Sequence, residues 1–332
     1  MDLKLLDRLT QTFGPSGYED EIRAVIAEAI TPYADETRVD ALGSLIGIRH
    51  ASEGAPGAKR VLLAAHMDEI GLMVTHVVDK GFVRFTSIGG VRAVNAIGGR
   101  ARFAGGIIAP IYVERREDAS KVPELQHLYL DVGAVDRDSS PVRVGDTAHF
   151  VGPLVSQGTR LVSKALDDRI GCYVLIEVMR RLEARAHEIH FAFTTQEEIT
   201  LSGARTSAYR IDPDLAISVD VTGTGDTPKA LPMDVSLGQG PAIKVKDGGM
   251  IAHPAVRDAL IAAAERAGAP YQMEILLGGT TDAAVMQLVR AGVPSGCLSI
   301  PCRYVHSPSE MVDTADVENA VEILLTFLES SL

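Results

Sequence analysis

Residues 60–69 read RVLLAAHMDE. The run from 61 to 65 is short and uniformly apolar, the pattern of a strand buried on both faces, as in parallel sheets covered by helices. It stops on His66, with Asp68 and Glu69 immediately after. In open α/β sheets ligands collect beyond the carboxyl ends of the strands, so one stretch suggests both a fold class and the place to look for chemistry.

Working outward, a helix is expected at about 2–13, ended by the Gly14-Pro15-Ser16-Gly17 breaker. Ser16 and Glu19 have capping-box spacing for a second helix, whose stripe is Ile22, Val25, Ile26, Ala29 and Ile30. From about 72 to 160 short β-prone runs (GFVRFTSI, ARFAGGIIAPIYVE, HLYLDV) are separated by Gly, Asp and Pro, with no long helical pattern. Beyond them, alternation returns: a helix at 168–184, strands at 189–195 and 215–220, a helix at 254–267 and a strand at 294–300. The expected fold is therefore α/β, a mixed and largely parallel sheet sandwiched by helices. The expected boundaries are 1–71 and 161–332 for the main domain, with 72–160 as an inserted β-rich unit.

Composition narrows the function classes. The chain has 332 residues, 46% hydrophobic, and 32 Lys and Arg against 44 Asp and Glu, a net charge of -12 that would repel a phosphate backbone; nucleic acid is not an expected partner. Three cysteines, Cys172, Cys297 and Cys302, without CxxC spacing suggest neither a disulfide framework nor a zinc ribbon. No apolar run approaches the roughly 18 residues of a membrane span, and the N-terminus, interrupted by Asp2 and Asp7, does not read as a signal peptide. The expected location is the cytoplasm.

Several apolar runs lead into metal-binding residue types: VLLAA into His66, HFAFTT into Gln196-Glu197-Glu198, LAISV into Asp220, and SIPC towards His306; SKALDDRIG places Asp167 and Asp168 at a helix entrance. Singly each has an ordinary explanation, and Asp168 reads as an N-cap. Together they favour imidazole and carboxylate ligands without thiolate, the set of catalytic zinc, cobalt or manganese. More than four ligands suggest two ions. Asp68 lies two residues beyond His66, on the same side of extended chain, where it can orient the imidazole. Glu197 and Glu198 cannot readily point the same way, which leaves one of them free to act as general base. Asp282 in GGTTDA reads as a helix cap, and His76, His127, His149 and His253 as structural or surface residues.

The segments FGPSGYE (13–19), AAHMDEIGLMV (64–74), SKALDDRIGC (163–172), TTQEE (194–198), SVDVT (218–222), GGTTDA (278–283) and RYVHSPSEMVD (303–313) are collinear over nearly the whole chain. As a set they resemble the glutamyl aminopeptidase and tetrahedral aminopeptidase family of dinuclear metallopeptidases, FrvX-like and also known as cellulase M homologues. The resemblance implies that His66 and Asp220 bind one metal, Glu198 and His306 the other, and that Asp167 bridges them. It implies Glu197 as general base and acid acting on a bridging water, and Asp68 as the residue orienting His66. The metals would be two divalent ions, zinc or cobalt, with manganese as a further option, and the substrates peptides cut at their N-terminal residue. It further implies that the insertion is a PDZ-like, barrel-like dimerisation domain and that dimers of this homo-oligomer assemble into a tetrahedral dodecamer. The chain departs from the family's pattern at Ile199-Thr200-Leu201, Gly223 and Cys302, beside the expected site. A deacylase of small N-acyl substrates is the alternative enzyme reading; a metal-free glycosidase and a non-catalytic scaffold are the others.

Overall fold

The computed structural model describes residues 1–52, 55, 57–118, 120–183 and 186–330. Its main sheet has eight strands. They lie in the order Glu36–Val39, Leu45–Arg49, Glu188–Thr194, Arg60–His66, Leu215–Thr222, Ser295–Pro301, Ala242–Lys246 and Gln272–Ile275. The four central strands run parallel, and the pairs outside them include antiparallel ones.

Alternation along the strands explains the sandwich. In Arg60–His66, Val61, Leu63 and Ala65 belong to the larger core under the helices Leu3–Gln11, Asp20–Ile30, Leu166–Arg181, Pro254–Ala267 and Thr314–Leu328, whereas Leu62 and Ala64 face the helices Ser202–Ile211 and Ala283–Met286. Successive side chains of a strand point to opposite faces, so a run apolar at every position needs a cover on both. The helix expected at 168–184 is Leu166–Arg181; its expected last position, 184, lies outside the described residues.

A second, separate core fills a closed six-stranded antiparallel barrel: Gly71–Val77, Val83–Ile88, Leu128–Leu130, Ile108–Val113, Arg100–Phe103 and Thr147–Phe150 in order around it. Closure leaves no strand edge unpaired. Barrel and sheet meet at a buried ionic cluster: Glu69 Oε2 lies 2.6 Å from Lys164 Nζ, and Glu69 Oε1 lies 3.1 Å from His149 Nδ1 and 3.5 Å from Arg169. Although burial opposes charge on Glu69, Lys164 foremost, with the His149 hydrogen bond and Arg169, holds its carboxyl down to about 2. His149 is thus a structural residue at the seam, stacked edge-on against Phe13.

Two capping expectations fail. Ser16 and Glu19 form no capping box: the second helix begins at Asp20 with no side-chain cap, the Ser16 hydroxyl donates to Asp68, and Glu19 accepts from the backbone of Gly17 and Gln196. Asp282 precedes its helix but does not cap it with its side chain; it accepts from the Thr194 hydroxyl. In both cases a buried tertiary partner, the Asp68 carboxylate for Ser16 and the Thr194 hydroxyl for Asp282, engages the side chain in place of the helix's own N–H groups. Asp168 does behave as a cap, accepting from Gly171 N at 3.0 Å.

Candidate metal centre

The parallel strands deliver their side chains at one edge. His66 is the last residue of its strand, Asp220 lies near the end of Leu215–Thr222, and Glu197 and Glu198 open the short helix Glu197–Thr200 just beyond Glu188–Thr194. That turn is made by Gln196, which adopts a left-handed backbone at φ 57°. His306, itself at φ 61°, follows Ser295–Pro301, and Asp167 sits where the helix entrance is non-helical, its peptide to Asp168 being cis.

All seven residues expected at the site are brought together. His66 Nε2 lies 3.0 Å from Asp167 Oδ1, and 3.9 Å from both Asp220 Oδ1 and Glu197 Oε2. His306 Nε2 lies 3.3 Å from Asp167 Oδ2 and 3.1 Å from Glu198 Oε2. Asp167 therefore turns one oxygen towards each histidine. On the far side of the His66 ring, Nδ1 is 3.2 Å from the Asp68 carbonyl and 3.5 Å from its carboxylate. That carboxylate also accepts from Glu197 N (3.0 Å), Glu198 N (3.2 Å) and the Ser16 hydroxyl, so one buried acid lies beside the imidazole and ties down the turn carrying both glutamates.

Other supports were not visible in sequence. Glu310, buried, accepts from Asp167 N at 3.0 Å with one oxygen and from His306 N at 2.9 Å with the other, joining residues almost 140 positions apart. The barrel contributes as well. Asn95 donates to the His306 carbonyl at 3.1 Å, and a Cβ at Gly90 would lie 2.7 Å from His306 Cε1. The RYVHSPSE segment holds Glu310 and His306 four residues apart, which was the one available hint.

Electrostatics describe a centre that calls for cations. Asp167, Glu197, Glu198 and Asp220 are crowded together, and among the described residues their ion pairs are to the two histidines only, with no Lys or Arg. Burial first, then the neighbouring acids, push Glu197 and Asp220 well above the usual carboxylate range. Burial opposes charge on His306, yet Asp167 and Glu198 drive it up to about 12. Glu198 Oε1 is buried with no hydrogen-bond partner. His66, Asp167 and Glu198 offer ligand atoms within 4.8 Å of one another, as do His66, Asp168 and Asp220. Of the two aspartates Asp168 is the poorer ligand, since its oxygens already accept from Gly171 N and His66 N. This donor set, rich in carboxylate oxygen with two imidazoles and an orphaned buried acceptor, fits divalent metal.

A family model for M42 glutamyl aminopeptidase matches residues 43–323. The chain belongs to that family. It is an M42 aminopeptidase, of a metallopeptidase class. It is 47% identical to a putative aminopeptidase of Acetivibrio thermocellus over 97% of this chain and 96% of that one. Its fold is similar to that of the aminopeptidase APDkam598 from the archaeon Desulfurococcus kamchatkensis, with TM-score 0.94 at 39% identity, covering 99% and 94% of the two chains. It is also similar to the TET1 peptidase of Pyrococcus horikoshii, which can assemble into a tetrahedron or a large octahedral shell, with TM-score 0.85, 31% identity and 98% coverage of each. The expected sheet with an inserted barrel is thus the fold of M42 peptidases. No helix among the described residues is long and apolar enough to cross a membrane.

Proposed function

We propose that this M42 aminopeptidase removes N-terminal residues from peptides at a dinuclear centre held by His66, Asp167, Glu198, Asp220 and His306. The observation that carries the reading is the posture of Asp167: its two oxygens face different histidines, His66 at 3.0 Å and His306 at 3.3 Å, as a carboxylate shared by two ions would. His66 and Asp220 would hold one ion, Glu198 and His306 the other, with zinc or cobalt first and manganese as a further option. When bound, the ions would supply a water of lowered pKa and polarise the scissile carbonyl.

The chain's own residues do the rest. Glu197 stands on the metal-facing side of His66, 3.9 Å from Nε2, and belongs to neither proposed ligand set. It takes the proton of the attacking water on its carboxylate and returns it to the leaving amine nitrogen, so one side chain serves as base and then as acid. Burial, then the neighbouring acids, raise its proton affinity above that of an exposed carboxylate, which suits it to receive a proton. Asp68 holds the His66 ring and the Glu197-Glu198 turn in register. The barrel is read as a dimerisation unit, and dimers as building blocks of a tetrahedral dodecamer.

The deciding experiment is Glu197→Gln. It should retain wild-type metal content while kcat falls by about 10²–10⁴-fold, the usual worth of a general base. A near-normal kcat would remove Glu197 from the mechanism. Cleavage of N-acyl amino acids in preference to aminoacyl-anilides would make the enzyme a deacylase instead.

A further inference from the structure

In front of the centre lies a cavity of about 600 Å³, within the range of small-ligand pockets. Its charge inventory is short. Apart from the proposed ligands and Glu197, the one ionisable residue lining it, among those described, is Lys244. Lys244 is fully buried, and its Nζ lies 2.6 Å from Glu274 Oε1 and 3.6 Å from Asp247 Oδ2. The Thr222 hydroxyl donates to the same Glu274 oxygen at 2.8 Å. Facing two carboxylates inside the protein, this ammonium brings no net positive charge to the wall. The rest of the wall is Ile199, Leu201, Val221, Leu276 and Val305, interspersed with threonines and glycines.

Resting on the proposed aminopeptidase reading, we infer that this cavity receives the side chain of the N-terminal residue and selects uncharged, apolar ones such as leucine and methionine over acidic and basic ones. The physical reason is desolvation. A substrate carboxylate entering here would lose water and meet only a lysine already held by two carboxylates, and a substrate ammonium would have to compete with Lys244 for those same two carboxylates. An apolar side chain meets contact on several sides and gives up no hydrogen bond of its own on entering. Leu276 matters most for a test, because it is half-buried in the wall and outside the metal ligands and their supports.

The test uses the full-length, metal-loaded enzyme and anilides of Leu, Met, Glu, Asp, Lys and Arg. The kcat/KM for Leu and Met should exceed that for the charged residues by at least about tenfold. Equal or better turnover of Glu or Lys anilide overturns the inference. If no anilide is cleaved, the aminopeptidase reading fails, and the pocket is judged by binding alone: in calorimetry on metal-loaded Glu197→Gln, leucine binding ahead of glutamate and lysine upholds the selectivity, and any other order, or no binding, ends it. Leu276→Arg should raise the Glu-to-Leu ratio of kcat/KM by about tenfold. An unchanged ratio with intact Leu turnover would show that this wall does not face the substrate side chain.

Discussion

Removing the Glu310 carboxylate tests how the centre is held, because that side chain is proposed to bind no metal yet fixes two ligands. Its oxygens accept from Asp167 N and His306 N at 3.0 and 2.9 Å. Glu310→Ala leaves two buried backbone donors unpaired, at about 1–3 kcal/mol each, so about 2–6 kcal/mol is at stake if nothing moves. The chain will relax instead, and the segments free to relax carry the shared aspartate and the second histidine. Part of the loss should therefore appear as metal affinity, about 10–100-fold, the usual effect of removing a ligand's support. Glu310→Gln should do little better, since its amide NH₂ would confront one of the N–H groups and only one acceptor remains. The assay is a chelator-competition titration of metal stoichiometry and affinity, with the thermal midpoint of the metal-free protein measured in parallel. A variant that loses thermal stability but binds both ions with wild-type affinity would refute the positioning role. So would one with unaltered affinity and unaltered kcat.

Three further outcomes follow from the same geometry. Gly90→Ala should depress activity and weaken metal binding by at least about tenfold through displacement of His306, whose Cε1 the new methyl would approach at 2.7 Å; wild-type stoichiometry and kcat would contradict this. Glu69→Ala should destabilise the fold by about 3–5 kcal/mol, read by urea unfolding, because it leaves Lys164 and Arg169 as buried cations without their counter-charge; a loss under about 1 kcal/mol would show that the seam tolerates their repulsion. Burial, then the Asp68 charge, push Glu19 up to about 7, so the folded state holds a proton that the unfolded chain gives up near pH 4.5. Its contribution to stability is therefore complete at low pH and lost as pH rises towards 7. Glu19→Gln should flatten that decline in thermal midpoints between pH 5 and 8, and parallel curves for the two proteins would contradict the shift.

The central strands were legible because their residues answer to one dominant force. VLLAA is apolar at every position and LAISVDVT is buried at every position after Leu215, and only a strand covered on both faces buries such a run. The ligating residue types were legible for a related reason, since a carboxylate or imidazole directly after such a strand sits at the sheet's carboxyl edge. Ser16 and Asp282 were misread because local capping rules price only the neighbouring N–H groups. In the folded chain Ser16 serves Asp68, 52 positions away, and Asp282 accepts from Thr194, 88 positions away. Gln196, Tyr304 and His306 adopt positive φ without being glycine, a conformation fixed by tertiary contacts and not encoded by the residue type.

The barrel shows most clearly why spacing alone falls short of a site. Read as a sequence it is an insertion with its own core, and it does close on itself. Yet the segment after Val83–Ile88 leaves the barrel to pack on the centre: Gly89, at φ 75°, leaves space beside Glu198, Gly90 lies against the His306 ring, and Asn95 bonds the His306 carbonyl. Both residues it touches belong to the proposed second ion, and neither belongs to the first. The main domain alone thus supplies the His66 half of the centre with its Asp68 and strand-end supports, whereas the Glu198 and His306 half depends on the barrel being seated. The seat is the Glu69, Lys164, Arg169 and His149 cluster, three residues beyond His66 in the chain. Perturbing that seam should therefore loosen the proposed second ion before the first, and a metal titration of Glu69→Ala in which both proposed sites weaken equally would contradict this.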